Sequence, residues 1–391
     1  MTTAWKFLNT ADHEAVRQQQ SMLAAIDRWW RSFEAKIPDL EDFFSRKKEW
    51  DLPAWMHDQL APIDERLNWE FSRDHVTHHM RLVITPEAEK QLRPLVHTII
   101  ERAPRRAGWT FHAWRQAETP ADAIESVRAR TGGDIMRTTV SVRKGKRNAI
   151  DLVYYSPDCT SADDQDALGP AFVATECILG EETLDKWIGL IQVARPRWLK
   201  RSLPLGRLKE TVEALIQSTC DQLPDRPCHE RIAAAAWSVF ALEPEPCDDY
   251  PFRQDLGVAT TMHPELWMAA HAQGFYSCRF SKLGETFCFI KIEQGENFDG
   301  ADPDQREKLQ ETLDKALAAG NLGGVTGRGT GLRYSYYDLA LVDLDKATPV
   351  LRRTLQAAHM PRRTWLMFFD ADFQGEWIGI WDDTPPPPSG S

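Results

Sequence analysis

The chain reads as an α+β protein of two domains, each a mostly antiparallel sheet with helices on one face in ferredoxin-like style. Three observations predict this. Segments crowded with aromatic and β-branched residues, such as LRYSYYDLALVD (332–343) and RTWLMFFDADFQGEWIGIWDD (363–383), alternate with segments of helical apolar spacing. Between those two lies KATPVLRRTLQAAH (346–359), with Val350, Leu351, Leu355 and Ala358 near one face, and a helix returning between strands needs an apolar sheet face to lie on. A chain of 391 residues also exceeds the size at which single cores stop growing.

In chain order, a helical preface comes first, over residues 1–66. Residues 12–35 bring Val16, Leu23, Ile26, Trp30 and Phe33 to one side, and Pro38 is expected to end that helix. A short helix from Asp39 and another over Ala54–Leu60 follow. The first sheet domain spans 67–200. LNWEF (67–71) and MRLVIT (80–85) read as a hairpin, and Pro86 as the start of a helix that Pro94 kinks or splits. WTFHAWR (109–115) reads as a strand, 120–130 as a helix, and VSVRKGKRNAIDLVYY as a hairpin turning at Gly145. AFVATECIL (171–179) is read as a strand, followed by GEETLDKW and the strand IGLIQVA (188–194). RPRWLKRSLPLG (195–206), with its prolines, glycine and charges, marks the boundary to a second domain over 205–384. That domain opens with the helix LKETVEALIQ, then a strand at 237–242 and a helix at 264–272. FYSCRFSK and ETFCFIKIEQ read as a hairpin around Leu283–Gly284, and DQREKLQETLDKALAAG as a helix closed by Gly320. The last segment is a hairpin turning near Gln374–Gly375. PPPPSGS, residues 385–391, reads as a disordered tail without the means to bury itself.

Composition narrows the function classes. Lys+Arg 47 against Asp+Glu 58 gives a net charge of −11, a field that repels nucleic acid and anionic membrane. No run approaches 18 apolar residues, and the N-terminal stretch has no signal-peptide core. Seven cysteines, an odd number with no C-x-x-C pair, favour a reducing compartment, so a cytoplasmic location is expected. Fifteen tryptophans suit cores or interfaces.

Candidate sites are few, and each has a plain alternative. His75, His78 and His79, with Asp74, could approach a metal, but their spacing fits no zinc signature and a polar turn explains them. The run Gly323–Gly331 could offer backbone N–H groups to a phosphate, with Arg328 and Arg333 supplying charge. It lacks the Gly-Lys-Ser/Thr that opens a phosphate-binding helix, and a flexible loop or wide turn is the simpler expectation. Arg143, Lys144, Lys146 and Arg147 sit on a hairpin tip, and Arg195, Arg197, Lys200 and Arg201 surround Trp198. Either group could hold single-stranded nucleic acid, or simply be solvated. Asp338, Asp343, Asp345, Asp370, Asp372 and Glu376 flank strand ends without a paired His or Lys in register. Cys159 and Cys228, the latter beside His229, are the most loop-like thiols. Trp377 and Trp381 share one face if their segment is a strand, and an exposed tryptophan is a natural anchor for a partner. The candidate contacts are therefore Gly327, Arg328, Gly329, Arg333, Trp377 and Trp381, with no catalytic, cofactor or metal residue assigned.

LNWEF, MRLVITPEAEKQLRPLVHTIIERAPRRAGWTFHAWR, IDLVYY and FVATECILGEETLDKWIGLIQVA together resemble an uncharacterised bacterial α+β family over about 67–195. VFALEPEPCDDYPFRQDLGVATT is similar to domains of the regulator of ribonuclease activity B type, which act by binding a protein. The resemblance implies an α+β, cytoplasmic, non-enzymatic protein and carries over no site residue. The expected function is a protein-binding or regulatory module, such as an inhibitor or immunity-type protein of an enzyme or toxin. The alternative is an enzyme or binding protein for a phosphorylated small molecule, using the 323–331 run.

Overall fold

The first helix, α1 (His13–Phe44), begins where the Asp12 carboxylate accepts from the amides of Glu14 and Ala15 at 3.1 and 3.0 Å. It continues through Pro38, where the sequence predicts its end. Proline costs about 3 kcal/mol inside a helix, but Phe33, Ile37 and Leu40 on both sides of it are buried. Burying one such side chain contributes about 1.5–3 kcal/mol, so the three together outweigh the loss. The structure is a computed structural model that describes residues 5–74, 77–157, 159, 165–195, 201–272, 274–295 and 298–388.

The chain divides into two units, the first comprising residues 1–114 with 372–376 and the second residues 115–371 with 377–391. In the first unit, α1 is followed by α2 (Leu52–Leu60), capped by Asp51 through the Ala54 amide at 3.1 Å. Then come β1 (Asn68–Arg73) and β2 (Met80–Thr85), the expected hairpin, with Asn68 opposite Thr85 and Arg73 opposite Met80. The next helix, α3 (Arg93–Glu101), starts at Arg93 and not at Pro86. Pro94 lies in its first turn, where a missing N–H costs nothing, so it initiates the helix and neither kinks nor splits one. β3 (Trp109–His112) pairs parallel to β2 and completes a sheet of order β1-β2-β3. Tryptophan and phenylalanine fill this core: Trp29, Trp30, Phe33 and Trp109 are buried, and the Phe33 and Trp109 rings meet edge to face at 5.2 Å. Glu376 accepts from the amides of Trp5, Lys6 and Phe7 at 2.8–3.0 Å.

The second unit contains two sheets. α4 (Pro120–Thr131) precedes β4 (Thr139–Lys144), β5 (Ile150–Tyr155), α5 (Gln165–Leu179), α6 (Glu181–Trp187), β6 (Ile188–Ala194), β7 (Leu203–Pro204) and α7 (Leu208–Asp221). The strands form a sheet of order β6-β5-β4-β7, with β5 and β6 parallel and the other pairs antiparallel. AFVATECIL, read as a strand, is the second half of α5. A short apolar run fits a buried helix as well as a buried strand, and here Ala171, Ala174, Cys177, Ile178 and Leu179 are buried against α4 and the sheet. Residues 201–206 lie inside the second unit, and α7 buries Leu208 and Val212 in the core of this four-stranded sheet.

The larger sheet comprises β8 (Ser238–Ala241), β9 (Leu256–Thr261), β10 (Thr286–Glu293), β11 (Gly323–Gly331), β12 (Tyr334–Leu341), β13 (Thr364–Phe368) and β14 (Trp377–Gly379). Its order is β14-β13-β10-β12-β11-β9-β8, antiparallel throughout. The helices are α8 (Pro264–Ala270), α9 (Pro303–Ala318) and α10 (Leu344–Ala357). The closing hairpin of β13 and β14 forms as expected. FYSCRFSK does not form a strand. β10 pairs with β12 and β13 instead, and the Ser277 amide is bound by Asp370 at 2.7 Å. Helices cover both faces, not one. The Tyr337 hydroxyl donates to the Arg306 carbonyl of α9 at 3.0 Å, while α8 packs with Phe287, Phe289, Tyr334 and Tyr336 on the opposite face. β12 is buried at every residue, which is what an apolar strand without alternation permits.

Candidate functional site

Residues 323–331 are neither a loop nor a wide turn; they are β11, a strand bonded to β12 on one side and to β9 on the other. Backbone groups engaged in two ladders have no N–H cluster to offer a phosphate. The glycines serve packing instead. A Cβ on Gly327 would come within 2.7 Å of an Asp338 carboxylate oxygen and 3.0 Å of the Thr260 carbonyl, and one on Gly329 would collide with Leu256. These bare positions make room for charges buried on the α8 face.

The charges form a network under the segment 248–256. Arg253 and Asp338 are in ion contact at 2.9 Å, with side chains 1% and 6% exposed, though not aligned as a hydrogen bond. Burial outweighs the attraction of Arg253 and raises the Asp338 pKa above the usual carboxylate range. Asp255 accepts from the amides of Arg333 and Tyr334 at 2.9 and 2.8 Å and from the Tyr336 hydroxyl. Buried Lys291 donates to the Tyr250 carbonyl, and desolvation lowers its pKa to about 8. At the sheet end, Asp249 accepts from Tyr334 and Arg363 at 2.6 Å, and Glu293 pairs with Arg333 at 2.8 Å and Arg363 at 3.0 Å. The cations Arg253, Lys291, Arg333 and Arg363 are thus matched by the carboxylates Asp249, Asp255, Glu293 and Asp338. A network so balanced clamps 248–256 onto the sheet. Apart from Arg333 and Asp338, these residues are not among the sequence candidates, and the signal was a lone charge inside an apolar strand, Lys291 in FCFIKIE and Asp338 in YSYYDLAL.

The other predicted contacts separate. Arg328 points to the α9 side and reaches Gln310 at 3.3 Å, while Arg333 belongs to the network above. Trp377 is half-buried opposite Met367 in β14. β14 ends at Gly379, so Trp381 lies beyond it, donating to the Met360 carbonyl at 2.9 Å under the Arg362 guanidinium. Neither tryptophan is an exposed anchor. The strand-end acids disperse too: Asp343 caps α10, Asp370 holds Ser277, and Glu376 gathers the amides of residues 5–7. Cys228 and Cys159 are buried, and burial pushes the Cys228 thiol up to about 12. At the β4–β5 tip, Arg143 lies 3.7 Å from Asp151. His75 and Arg197, Trp198 and Lys200 lie outside the described residues. Among the described residues no three metal-ligating side chains cluster, and no helix is long and apolar enough to cross a membrane.

At one end of the seven-stranded sheet lies β8, which pairs only with β9 among the described residues. Leu242 donates to the Gly257 carbonyl at 2.7 Å, in register with Phe240 opposite Ala259. In an antiparallel ladder bonded residues alternate, so Val239 and Ala241 direct their N–H and C=O groups away from the sheet. Phe240 turns inward and stacks on Trp267 at 4.2 Å. Val239 is 68% exposed and Val258, opposite Ala241 on β9, 50% exposed. Trp237 and Leu242 at the strand ends are exposed as well, and exposed Glu243 and Glu245 follow. An uncapped edge with apolar side chains is a template for another strand.

Comparison of the chain with family models, curated proteins and solved structures finds no match.

Proposed function

We propose that this chain is a protein-binding module that captures an extended segment of a partner protein along β8. The observation that carries the reading is the edge itself: Val239 and Ala241 turn backbone groups outward that pair with no strand among the described residues, beside the exposed side chains of Val239 and Val258. Backbone pairing supplies affinity, and alternate side chains of the added strand meet the apolar strip. Glu243 and Glu245 flank the edge in a chain of net charge −11, so the partner strand carries lysine or arginine at the end that reaches them. Such a module acts as an inhibitor or immunity-type protein by covering the basic working face of an enzyme or toxin.

Proline at position 239 or 241 tests this without touching the native ladder, because the N–H it removes faces outward. Native mass spectrometry of the protein isolated from its own host at low salt preserves electrostatically driven complexes. A stoichiometric partner is expected, with its affinity lowered at least about tenfold by Val239→Pro and by Ala241→Pro. A partner retained equally by both variants, with exchange protection elsewhere, would overturn the reading.

A further inference from the structure

A groove of about 610 Å³ runs beside β3 in the first unit. That volume falls inside the roughly 300–1,000 Å³ of ligand sites. Its wall is apolar, made by Ile100, Ala103 and Pro104 at the end of α3 and by half-buried Phe111. Its head carries Arg105 and Arg106, both exposed, and neither guanidinium contacts a carboxylate among the described residues. Thr110 and half-buried His112 line the groove farther along, and their side chains make no hydrogen bond among the described residues. Burial, and then the charge of Arg81, lower the His112 pKa, so its ring is neutral at pH 7. The positive charge of the lining is thus confined to the head.

The strand beside the groove decides what can lie in it. β3 is at one end of its sheet and pairs only with β2 among the described residues. Gly108 accepts from the Met80 amide at 2.8 Å, and Thr110 stands opposite Arg81. Backbone groups alternate in direction along a strand, so Thr110 and His112 continue the ladder with β2 while Phe111 turns its N–H and C=O outward. Trp109 faces outward as well, but its N–H already donates to the Arg106 carbonyl at 3.2 Å. Outward pairing therefore runs from Phe111 back to the Trp109 carbonyl and stops beside the two arginines. An added strand that ends there has two directions. Laid parallel to β3, its end is an N-terminal ammonium, which the arginines repel; laid antiparallel, its end is a C-terminal carboxylate, which they bind.

We propose that this groove binds the C-terminal end of a partner polypeptide as an antiparallel strand on β3, its α-carboxylate held by Arg105 and Arg106. One peptide residue exchanges both backbone bonds with Phe111, and the last residue donates its N–H to the Trp109 carbonyl. Apolar side chains of the peptide lie along Ile100 and Pro104. This surface belongs to the first unit and is independent of the β8 edge, so its failure would leave that reading standing.

The test uses the full chain and an array of acetylated tetrapeptides of varied sequence, each made with a free C-terminal carboxylate and again as the C-terminal amide. Peptides with the free carboxylate are expected to bind, and the amide of the same sequence at least about tenfold more weakly. The amidated set includes aspartate and glutamate side chains, so it also reads whether an internal carboxylate suffices. Arg105→Gln with Arg106→Gln lowers the affinity of the free-carboxylate peptides at least about tenfold while thermal unfolding is unchanged, and Val239→Pro leaves that affinity as it was. Exchange of the Phe111 amide slows at least about tenfold in the complex, and methylating the last amide nitrogen of the peptide abolishes binding. No free-carboxylate peptide bound at millimolar concentration, amides bound as tightly as acids, an affinity indifferent to the arginine pair, or a single-stranded oligonucleotide bound more tightly than any peptide would each overturn the proposal.

Discussion

Breaking the Arg253–Asp338 pair one partner at a time, and then both, separates electrostatics from packing in the seven-stranded sheet. The two groups are 2.9 Å apart and almost fully buried. Removing one partner of a buried pair costs about 3–5 kcal/mol, because the survivor is left charged and dry, whereas replacing both by apolar residues is often neutral or stabilising. Asp338→Leu strands a guanidinium that cannot lose its proton, so the full cost is expected. Arg253→Met leaves a carboxylate whose pKa burial already raises, and protonation offers it an escape, so this variant recovers as pH falls. The double variant is expected to be much less damaged than the sum of the singles. Global unfolding of a chain with two units is not a single transition. Hydrogen exchange of peptides from β10 and β12 reads the local effect instead, and 3–5 kcal/mol corresponds to roughly two to three and a half powers of ten in exchange rate. If Asp338→Leu accelerates exchange less than about fivefold, or the two single effects simply add, the pair does not hold the sheet as argued.

Lys291 gives a pH dependence of definite sign. Its folded pKa of about 8 lies below the unattached value of 10.5, so between these limits the unfolded chain binds more protons. Stability from this group therefore rises with pH across that window, so the stability of the native chain relative to Lys291→Met, followed by exchange of β10 from pH 10 to 8, falls as pH falls. Gly329→Ala forces a methyl into Leu256 and is expected to destabilise by about 1–3 kcal/mol, whereas Gly295→Ala, with open space at its Cβ, leaves thermal unfolding nearly unchanged. Glu376→Ala removes the acceptor of three amides, so amide exchange in residues 5–7 should accelerate at least about tenfold. At neutral pH a thiol reagent is expected to modify exposed Cys247 first, since burial pushes the thiols of Cys177 and Cys228 up to about 12.

Local signals settled much of the architecture before any tertiary structure. The β1–β2 and β4–β5 hairpins, the closing β13–β14 hairpin, the α9 and α10 helices and the α+β class follow from alternation, apolar periodicity and capping residues a few positions apart. Where the deciding partner lay far along the chain, the same signals misled. AFVATECIL is apolar enough for either state and became a helix because α4 and a sheet face surround it. The glycine run looked like a loop, yet β9 and β12 on either side, with side chains already filling the space above it, made it a strand. Pro38 lost its power to end α1 to the buried residues on both sides of it.

The candidate contacts divided on the same line. Composition alone determined an acidic surface and a reserve of aromatic residues for the cores. That Arg253 meets Asp338, that Trp377 and Trp381 are half-buried, and that Val239 stands on an edge strand were decided only when strands distant in sequence were placed side by side. Exposure and ion pairing are properties of neighbours, and a residue's neighbours are set by the packing of the whole sheet.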